Sequence, residues 1–302
     1  MLRLRLRPAA ILLLFALLPL LGCGGPASQP DLVWGKKGVR DGDFVRPRAA
    51  VIDKHDHLYI VDFTARIQAY DLDGNYLGIT WKTPDFRNGR PSGLGIDRDG
   101  NVLVCDSHYH VVRTYTHDGN QIKQFGSEEM FGYVSDCVQD SDGYYYVSEF
   151  GRTDRITKLD EAGNVVKTWG ESGTAPGQFQ RVRALALGPD GLLYVADSCN
   201  HRIQVFTKEG EFVRAFGEPG DGKGQFSYPF DLAFSPAGDL YVVERGNRRV
   251  QKLSPAGEWK AFWGQSGSKP GQLADPWAVA VDKLGRVHVV DTENHRVQRV
   301  RF

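Results

Sequence analysis

Short runs of alternating hydrophobic and polar residues fill most of the chain, and clusters of turn-forming residues separate them. In one representative stretch the runs cover residues 184–187, 192–196, 203–206 and 212–216, with turn sequences at 189–191 and 208–210. Alternation with a period of two is typical of strands that bury one face. Four such runs joined by short turns predict one four-stranded antiparallel sheet.

The same unit recurs six times. Each copy closes on an aromatic residue, which Gly follows in all but one copy: Trp34, Trp81, Phe125, Trp169, Phe216 and Trp263. The intervals between these aromatics are 47, 44, 44, 47 and 47 residues, and a fixed period of this length is typical of repeat architectures. Six such sheets around an axis predict an all-β fold, a six-bladed β-propeller of four-stranded antiparallel blades.

The two ends of the chain predict how the ring closes. The last copy stops at Phe302, after its third strand, and residues 32–35 at the start of the chain have the pattern of the missing fourth strand. We therefore expect the N-terminal strand to complete the last blade, which hides a sheet edge that would otherwise be exposed. This gives one propeller domain over residues 31–302.

The first residues have the composition of an export signal. Arg3, Arg5 and Arg7 precede an apolar run at 9–21, which is 13 residues long and too short to span a bilayer as a helix. Residues 20–23, Leu-Leu-Gly-Cys, resemble the lipobox of bacterial lipoproteins. The resemblance implies a signal peptide over 1–22, lipidation of Cys23 and a tether over 23–30. The alternative is an ordinary signal peptide that contains a cysteine.

Export changes the expected charge and location. Removing three of the 37 basic residues leaves 34 against 37 acidic ones, a net charge of −3, so nucleic acid is not an expected partner. We expect a protein lipid-anchored in the bacterial cell envelope. The outer membrane is favoured if two membranes are present, because Gly24 replaces the Asp that resembles an inner-membrane retention signal.

With Cys23 set aside, three cysteines remain: Cys105, Cys137 and Cys199. An odd number cannot all pair within one chain. A disulfide between Cys105 and Cys137 is possible but not required, and small buried residues are the favoured interpretation.

Several segments resemble the NHL repeat. The core sequences lie at 197–206 and 291–298, with a close variant at 244–251, and the upstream Gly-x-Phe-like segments lie at 177–179, 224–226 and 271–273. The resemblance covers the mature chain and is strongest in copies four to six. It implies a β-propeller, and it does not imply one activity, because this fold hosts many.

An acidic residue ends the second strand of every copy: Asp62, Asp106, Glu149, Asp197, Glu244 and Asp291. Most copies place an arginine a few residues later: Arg66, Arg155, Arg202, Arg249 and Arg296. Six acids could suggest a ring of metal ligands. A repeated acid and arginine more simply predict a hydrogen-bonded brace for the loop between strands two and three.

Differences between copies concentrate where the chain enters the innermost strand. When the copies are aligned on six anchor residues (Pro47, Pro91, Val134, Val182, Pro229 and Pro276), the next position reads Arg48, Ser92, Ser135, Arg183, Phe230 and Trp277. The preceding position reads Arg46, Arg90, Tyr133, Arg181, Tyr228 and Asp275. In a propeller these segments are expected to surround one end of the central channel, the channel mouth.

Two carboxylates at the channel mouth need an explanation. Two positions after the anchor most copies have Ala or Gly, but copies three and five have Asp136 and Asp231, and an unpaired buried charge is costly. One interpretation is a set of internal ion pairs with the arginines of the mouth: Arg46, Arg48, Arg90, Arg181 and Arg183. The other is a ligand site with an arginine side and an aromatic side, the latter formed by Tyr133, Tyr228, Phe230 and Trp277.

A metal site is the alternative interpretation of a second cluster. Asp106 and His108 are close in sequence, Asp136 belongs to the next blade, and imidazole and carboxylate groups ligate transition metals. His110 aligns with His201 of the ordinary repeat and is expected to be structural. We therefore expect no cofactor, with a divalent metal at Asp106, His108 and Asp136 as the alternative.

The favoured functional hypothesis is a non-catalytic scaffold that binds a protein, peptide or envelope glycan at the channel mouth. The alternative is a metal-dependent hydrolase or lyase. Peptide-amidating lyases are similar in repeat pattern and hold zinc with histidines after the anchor, where this chain has no His. Gluconolactonase-like propellers bind a divalent ion through acid and Asn ligands. Such an activity remains an alternative here, through Asp136, Asp231 and Glu149. A purely structural assembly module is the third possibility.

Overall fold

The computed structural model describes residues 29–84 and 90–302. The expected signal peptide (1–22), Cys23 and most of the tether lie outside the described residues. The described part of the chain forms 24 strands in six four-stranded antiparallel sheets, which confirms the six-bladed β-propeller. None of its helices has the length and apolar character needed to cross a membrane.

Each blade adds its strands in chain order from the channel outward, and the strands of the first three blades have the following bounds. Blade 1 contains β2 (Pro47–Ile52), β3 (Leu58–Asp62), β4 (Arg66–Tyr70) and β5 (Tyr76–Lys82). Blade 2 contains β6 (Pro91–Ile96), β7 (Val102–Asp106), β8 (Val111–Tyr115) and β9 (Gln121–Phe125). Blade 3 contains β10 (Tyr133–Gln139), β11 (Tyr145–Phe150), β12 (Arg155–Leu159) and β13 (Val165–Trp169).

Blades 4 and 5 repeat this order, and blade 6 departs from it because the N-terminal β1 is its outermost strand. Blade 4 contains β14 (Val182–Leu187), β15 (Leu193–Asp197), β16 (Arg202–Phe206) and β17 (Phe212–Phe216). Blade 5 contains β18 (Pro229–Phe234), β19 (Leu240–Glu244), β20 (Arg249–Leu253) and β21 (Trp259–Trp263). Blade 6 contains β22 (Pro276–Val281), β23 (Val287–Asp291), β24 (Arg296–Val300) and β1 (Leu32–Trp34). Short 3₁₀ helices follow β7, β15 and β23 at Ser107–Tyr109, Ser198–Asn200 and Thr292–Asn294.

The N-terminal strand closes the ring, as predicted. β1 pairs antiparallel with β24, with Val33 opposite Gln298. Trp34 then packs its ring 4.7 Å from that of Tyr70 and 5.5 Å from that of Phe44, both in blade 1. The closure therefore covers the edge of blade 6 and joins the last blade to the first.

The hydrophobic core lies between neighbouring blades rather than inside one of them. Ile60 of blade 1, for example, packs in one buried cluster with Val290 and Val297 of blade 6. Similar clusters recur around the ring. Burial between copies explains why the alternating pattern repeats with a fixed period.

The predicted braces are present. In blade 4, Arg202 Nε donates to Asp197 Oδ2 at 2.8 Å, and the Gln180 backbone N–H donates to Asp197 Oδ1 at 2.8 Å. Equivalent ion pairs occur in blades 1, 3, 5 and 6. Each brace ties the loop after the second strand to the segment that enters the innermost strand, so it fixes the residues of the channel mouth.

Blade 2 builds its brace differently. Val111 occupies the usual arginine position, and Arg113, two residues along the same face of β8, donates Nε to Asp106 Oδ2 at 3.3 Å. This places Arg113 where blades 4, 5 and 6 have Gln204, Gln251 and Gln298.

His110 is structural, as predicted from its alignment with His201. His110, His201 and His295 each follow a 3₁₀ helix in the left-handed conformation, with φ of 56°, 56° and 53°. Each Nδ1 then contacts the backbone of the next blade: Gly132 O at 2.6 Å, Tyr228 N at 3.2 Å and Arg46 N at 3.0 Å, respectively.

The three described cysteines are free thiols. Cys105 and Cys137 are fully buried and belong to one core cluster. Cys105 lies on the second strand of blade 2, not on an innermost strand, whereas Cys137 lies on the innermost strand of blade 3. Cys199 is half-buried.

Candidate ligand site at the channel mouth

The residues directly after the six anchors all line the same cavity, to which each blade contributes one of them, as the alignment predicted. Its walls include all six of these residues: Arg48, Ser92, Ser135, Arg183, Phe230 and Trp277. Every innermost strand has an irregular register with its neighbour at this point. Such a bulge redirects one side chain out of the sheet, which explains why one residue per blade reaches the channel.

The position before the anchor lies outside this cavity. Arg46, Arg181 and Tyr228 have φ of 50°, 59° and 52°, so the backbone turns there before the strand begins. Tyr133 and Tyr228 are 41% and 46% exposed, and Arg46 forms an ion pair with Glu293 at 2.5 Å. Of the predicted site residues, Arg46, Tyr133, Arg181 and Tyr228 therefore form an outer rim.

The predicted division into an arginine side and an aromatic side is wrong. In blade order the cavity residues are Arg48, Ser92, Ser135, Arg183, Phe230 and Trp277, so the two arginines flank the two aromatics and the serines fill the opposite arc. The guanidinium carbon of Arg183 lies 4.1 Å from the ring centroid of Phe230, and that of Arg48 lies 4.7 Å from the centroid of Trp277. Arginine and aromatic side chains therefore interleave.

Among the described residues, Arg48 and Arg183 form no salt bridge with a carboxylate, although the charge of Asp136 acts on Arg183. Both guanidinium carbons converge on Trp277, at 4.7 and 5.8 Å from its ring centroid. Arg183 is 8% exposed, and its Nε is buried without a hydrogen-bond partner. A buried, unpaired donor on a charged group is costly, and an anionic ligand would satisfy it.

Burial and mutual repulsion lower the pKa of both guanidinium groups. The pKa of Arg183 falls to about 9, first through burial and then through the charges of Arg181 and Arg48. The pKa of Arg48 falls to about 10, first through burial and then through Arg90 and Arg46. Both groups stay protonated at neutral pH, so the mouth keeps concentrated positive charge.

A second layer of aromatic contacts was missed in the sequence. Phe63 and Phe150 directly follow the braced acids of blades 1 and 3, and Arg245 has that position in blade 5. The Phe63 ring centroid lies 3.5 Å from the guanidinium carbon of Arg90 and 5.3 Å from that of Arg48. The sequence does contain a signal for this layer, because the residue after the braced acid is Ser107, Ser198 or Thr292 in the even-numbered blades.

Asp136 and Asp231 do not pair with arginines, which corrects the ion-pair interpretation. Asp136 accepts backbone N–H bonds from Cys137 and Leu185, each at 2.9 Å. Asp231 accepts them from Leu232 at 2.8 Å and Val279 at 2.9 Å. Each carboxylate therefore links its own blade to the next one through the backbone.

Both carboxylates line the same cavity as the arginines, and burial raises the pKa of each. The pKa of Asp136 rises to about 6, while backbone N–H bonds oppose the effect of burial. The pKa of Asp231 rises to about 8, because burial is joined by the charge of Asp136. Asp231 is therefore mostly protonated at neutral pH.

The serine arc offers acceptors. Ser92 Oγ donates to the Val134 carbonyl at 2.9 Å, and Ser135 Oγ lies 2.9 Å from the Val182 carbonyl and 2.8 Å from Ser148 Oγ. Each hydroxyl has a single proton, so its oxygen lone pairs face any further partner.

The described residues do not fit the alternative metal site. They contain no group of three or more His, Cys, Asp or Glu side chains that could hold a metal ion. Asp106 Oδ2 is engaged by Arg113, and the His108 ring packs 5.6 Å from that of Tyr133. Asp106, His108 and Asp136 therefore do not form one ligand set.

Sequence comparison identifies the repeat. Residues 179–206 and 273–300 match the NHL repeat, and they correspond to copies four and six. Peptidylglycine alpha-amidating monooxygenase of Rattus norvegicus is 36% identical over 137 residues, which cover 39% of this chain and 14% of that protein. NHL repeat-containing protein 3 of Mus musculus is 29% identical over 164 residues, covering 49% of this chain and 47% of that protein. The chain thus spans less than half the length of these curated relatives.

Structural comparison supports the same architecture. A streptogramin B lyase superposes with a TM-score of 0.63 at 14% sequence identity, covering 87% of this chain and 95% of that structure. At this identity the similarity concerns the fold alone. Together with the repeat matches, it establishes that this chain is a six-bladed β-propeller that contains NHL repeats.

Proposed function

We propose that this protein is a non-catalytic binding scaffold that holds a carboxylate-bearing protein, peptide or envelope glycan at the channel mouth. The observation that carries the proposal is Arg183, a buried arginine that lines the cavity without a salt bridge to a carboxylate among the described residues. Arg48 supports it from the opposite side of the ring.

Electrostatics explains why such a site favours an anion. Charge-assisted hydrogen bonds from guanidinium to carboxylate are strong, and Arg can bind both carboxylate oxygens. In this chain the guanidinium groups already stack on Phe230 and Trp277, which restricts their motion. Pre-organised donors lose less entropy when a ligand binds.

Calorimetric titration with N-acetylalanine, a small carboxylate, tests the proposal. We expect saturable binding to the wild type, at least about tenfold weaker binding to Arg183→Ala, and none detectable for Arg48→Ala combined with Arg183→Ala. Arg98→Ala removes an exposed arginine paired with Glu161 and serves as the matched control with unchanged affinity. Equal affinities of all four proteins would refute the proposed site.

The proposal includes export and lipid anchoring in the cell envelope. It rests on Arg3, Arg5, Arg7 and the apolar run before Cys23. Mass spectrometry of the N-terminal peptide from membranes of a producing bacterium is expected to show a diacylglycerol mass on Cys23, absent in Cys23→Ser. An unmodified Cys23 thiol in the membrane fraction would contradict the anchoring.

A hydrolase or lyase activity at the same mouth is the alternative proposal. It is motivated by the similarity to the amidating monooxygenase and to the streptogramin B lyase. Elemental analysis before and after chelation, with turnover assays on lactone, ester and peptide substrates, tests it. A stoichiometric metal whose removal abolishes turnover would replace the scaffold proposal.

A further inference from the structure

We infer that the channel mouth recognises a zwitterionic group, a carboxylate and an ammonium on neighbouring atoms as in an α-amino acid. The inference rests on the proposed function and names the ligand class for the same cavity. The ligand is either a free amino acid or a larger molecule that ends in such a group.

The first argument is that the cavity contains guanidinium groups and carboxyl groups that form no salt bridges with each other. Arg48 and Arg183 line it together with Asp136 and Asp231. The carboxylates bind backbone N–H groups instead of guanidinium groups. A ligand that carries only a carboxylate would satisfy the arginines but would add a negative charge beside two acids.

The second argument concerns the remaining hydrogen-bonding capacity of the acids. Each oxygen of Asp136 and Asp231 accepts one backbone N–H bond, and a carboxylate oxygen has two lone-pair sites. Each oxygen of Asp136 therefore keeps one free site, and the proton of Asp231 occupies one of its two remaining sites until it is released. An ammonium group has three donors and can use these sites without breaking any inter-blade bond.

The serine arc adds a third, independent observation. The single proton of Ser92 already binds a backbone carbonyl of the next blade, whereas Ser135 Oγ is shared between the Val182 carbonyl and the Ser148 hydroxyl. Ser92 Oγ therefore adds an acceptor to the cavity in which Arg48 and Arg183 supply the donors. Donors and acceptors in one cavity match a ligand whose two ends have opposite hydrogen-bonding character.

Proton release provides a signature that a simple anion would not give. In the free protein Asp231 is mostly protonated at pH 7, because its pKa lies at about 8. An ammonium beside Asp231 would lower that pKa and release protons, whereas a carboxylate without an ammonium would keep the proton in place.

The experiment compares three probes by calorimetry at pH 7 in Bis-Tris and Tris, two buffers that are not anions: alanine as either enantiomer, N-acetylalanine without an ammonium, and ethylamine without a carboxylate. We expect one alanine enantiomer to bind at least about tenfold more tightly than either of the other two. The enthalpy observed for this enantiomer should differ between the two buffers, because the buffer takes up the protons that binding releases.

Asp231→Ala provides the matched variant, because Ala49, Ala184 and Ala278 hold the same position in blades 1, 4 and 6. It should lose the preference for alanine, because an acceptor for the ammonium is gone, and bind N-acetylalanine at least as tightly as the wild type. Equal binding of alanine and N-acetylalanine to the wild type would overturn the inference and leave the proposed function standing. Failure of both to bind would overturn the proposed function itself, and tight binding of ethylamine alone would overturn both.

Discussion

Asp136 and Asp231 show how one residue can depart from a repeat without breaking the fold. Four blades have Ala or Gly at this position, where neighbouring strands crowd around the channel. The two carboxylates fit because each accepts backbone N–H groups from its own blade and from the next. Burial without such bonds would cost several kcal/mol.

The first residue-scale prediction concerns pH. In the unfolded chain Asp231 ionises near its ordinary pKa of 3.8, whereas in the folded protein it ionises at about 8. Between these values the unfolded state holds fewer protons, so the wild type loses stability as pH rises. Urea unfolding at pH 5 and pH 8 should show that the free energy of unfolding of Asp231→Ala rises relative to that of the wild type by about 1 kcal/mol per pH unit. A difference that is constant or falls with pH would contradict the assignment.

The second residue-scale prediction concerns Gly93. A methyl group there would collide with the Ser135 carbonyl oxygen of the next blade, which is backbone and cannot swing away. Gly93→Ala should therefore lower the free energy of unfolding by about 1–3 kcal/mol. Ala49→Gly, the reverse change at the equivalent position of blade 1, should cost about 1 kcal/mol or less. Equal thermal shifts for the two variants would show that the blades separate easily.

At the scale of the element, the buried acid and its arginine connect loops rather than strands. Asp197 is fully buried, and Arg202 contacts it together with backbone carbonyls of the segment entering β14, including Gln178 O at 2.8 Å. The blade thereby fixes the approach to Arg183. The position of Arg183 in the channel mouth therefore depends on the contacts that Arg202 makes with the preceding segment.

The element-scale prediction compares two arginines. Arg202→Ala leaves Asp197 buried without its charge partner and should destabilise the protein by about 3 kcal/mol or more. Arg98→Ala removes an exposed pair with Glu161 and should cost less than about 1 kcal/mol. Adding Asp197→Asn to Arg202→Ala should recover part of the loss, measured by denaturant unfolding. No recovery would mean that packing, not charge, dominates the brace.

Much of the element scale was predictable from sequence because strand alternation and turn residues are local signals. The alignment of copies also identified the six cavity residues, since bulges recur at the same point of every innermost strand. The partners of Asp136 and Asp231 were not predictable, because they depend on backbone N–H groups of the neighbouring blade. The shift of the blade 2 brace to Arg113 breaks the register on which alignment relies.

At the scale of the whole molecule, the ring is held together by contacts far apart in sequence. β1 supplies the outer strand of blade 6, and Trp34 packs against blade 1. Blade 6 also reaches blade 1 through a side chain near the mouth, because the Arg46 backbone N–H donates to His295 Nδ1 at 3.0 Å. A ring closed in this way holds the mouth residues of opposite blades in one geometry.

The whole-molecule prediction tests that closure. A chain that starts at Lys36 lacks β1 and leaves the edge of β24 uncovered. A chain that starts at Gln29 keeps β1 and its pairing with β24. The shorter chain should lose at least about 3 kcal/mol of unfolding free energy, the scale of removing a large aromatic from a packed site, and should aggregate through its open edge. Equal melting temperatures and solubility would show that the ring closes without β1.

The measurement that tests the account most directly is the guanidinium Nε–H spectrum of ¹⁵N-arginine-labelled protein during titration with N-acetylalanine. Arg183→Lys would assign the Nε–H signal of Arg183, whose Nε is buried without a partner in the free protein. We predict a saturable shift of the Arg183 and Arg48 signals, with the Arg98 signal unchanged. A titration in which neither mouth arginine responds would contradict the claim that the channel mouth is an anion-binding site.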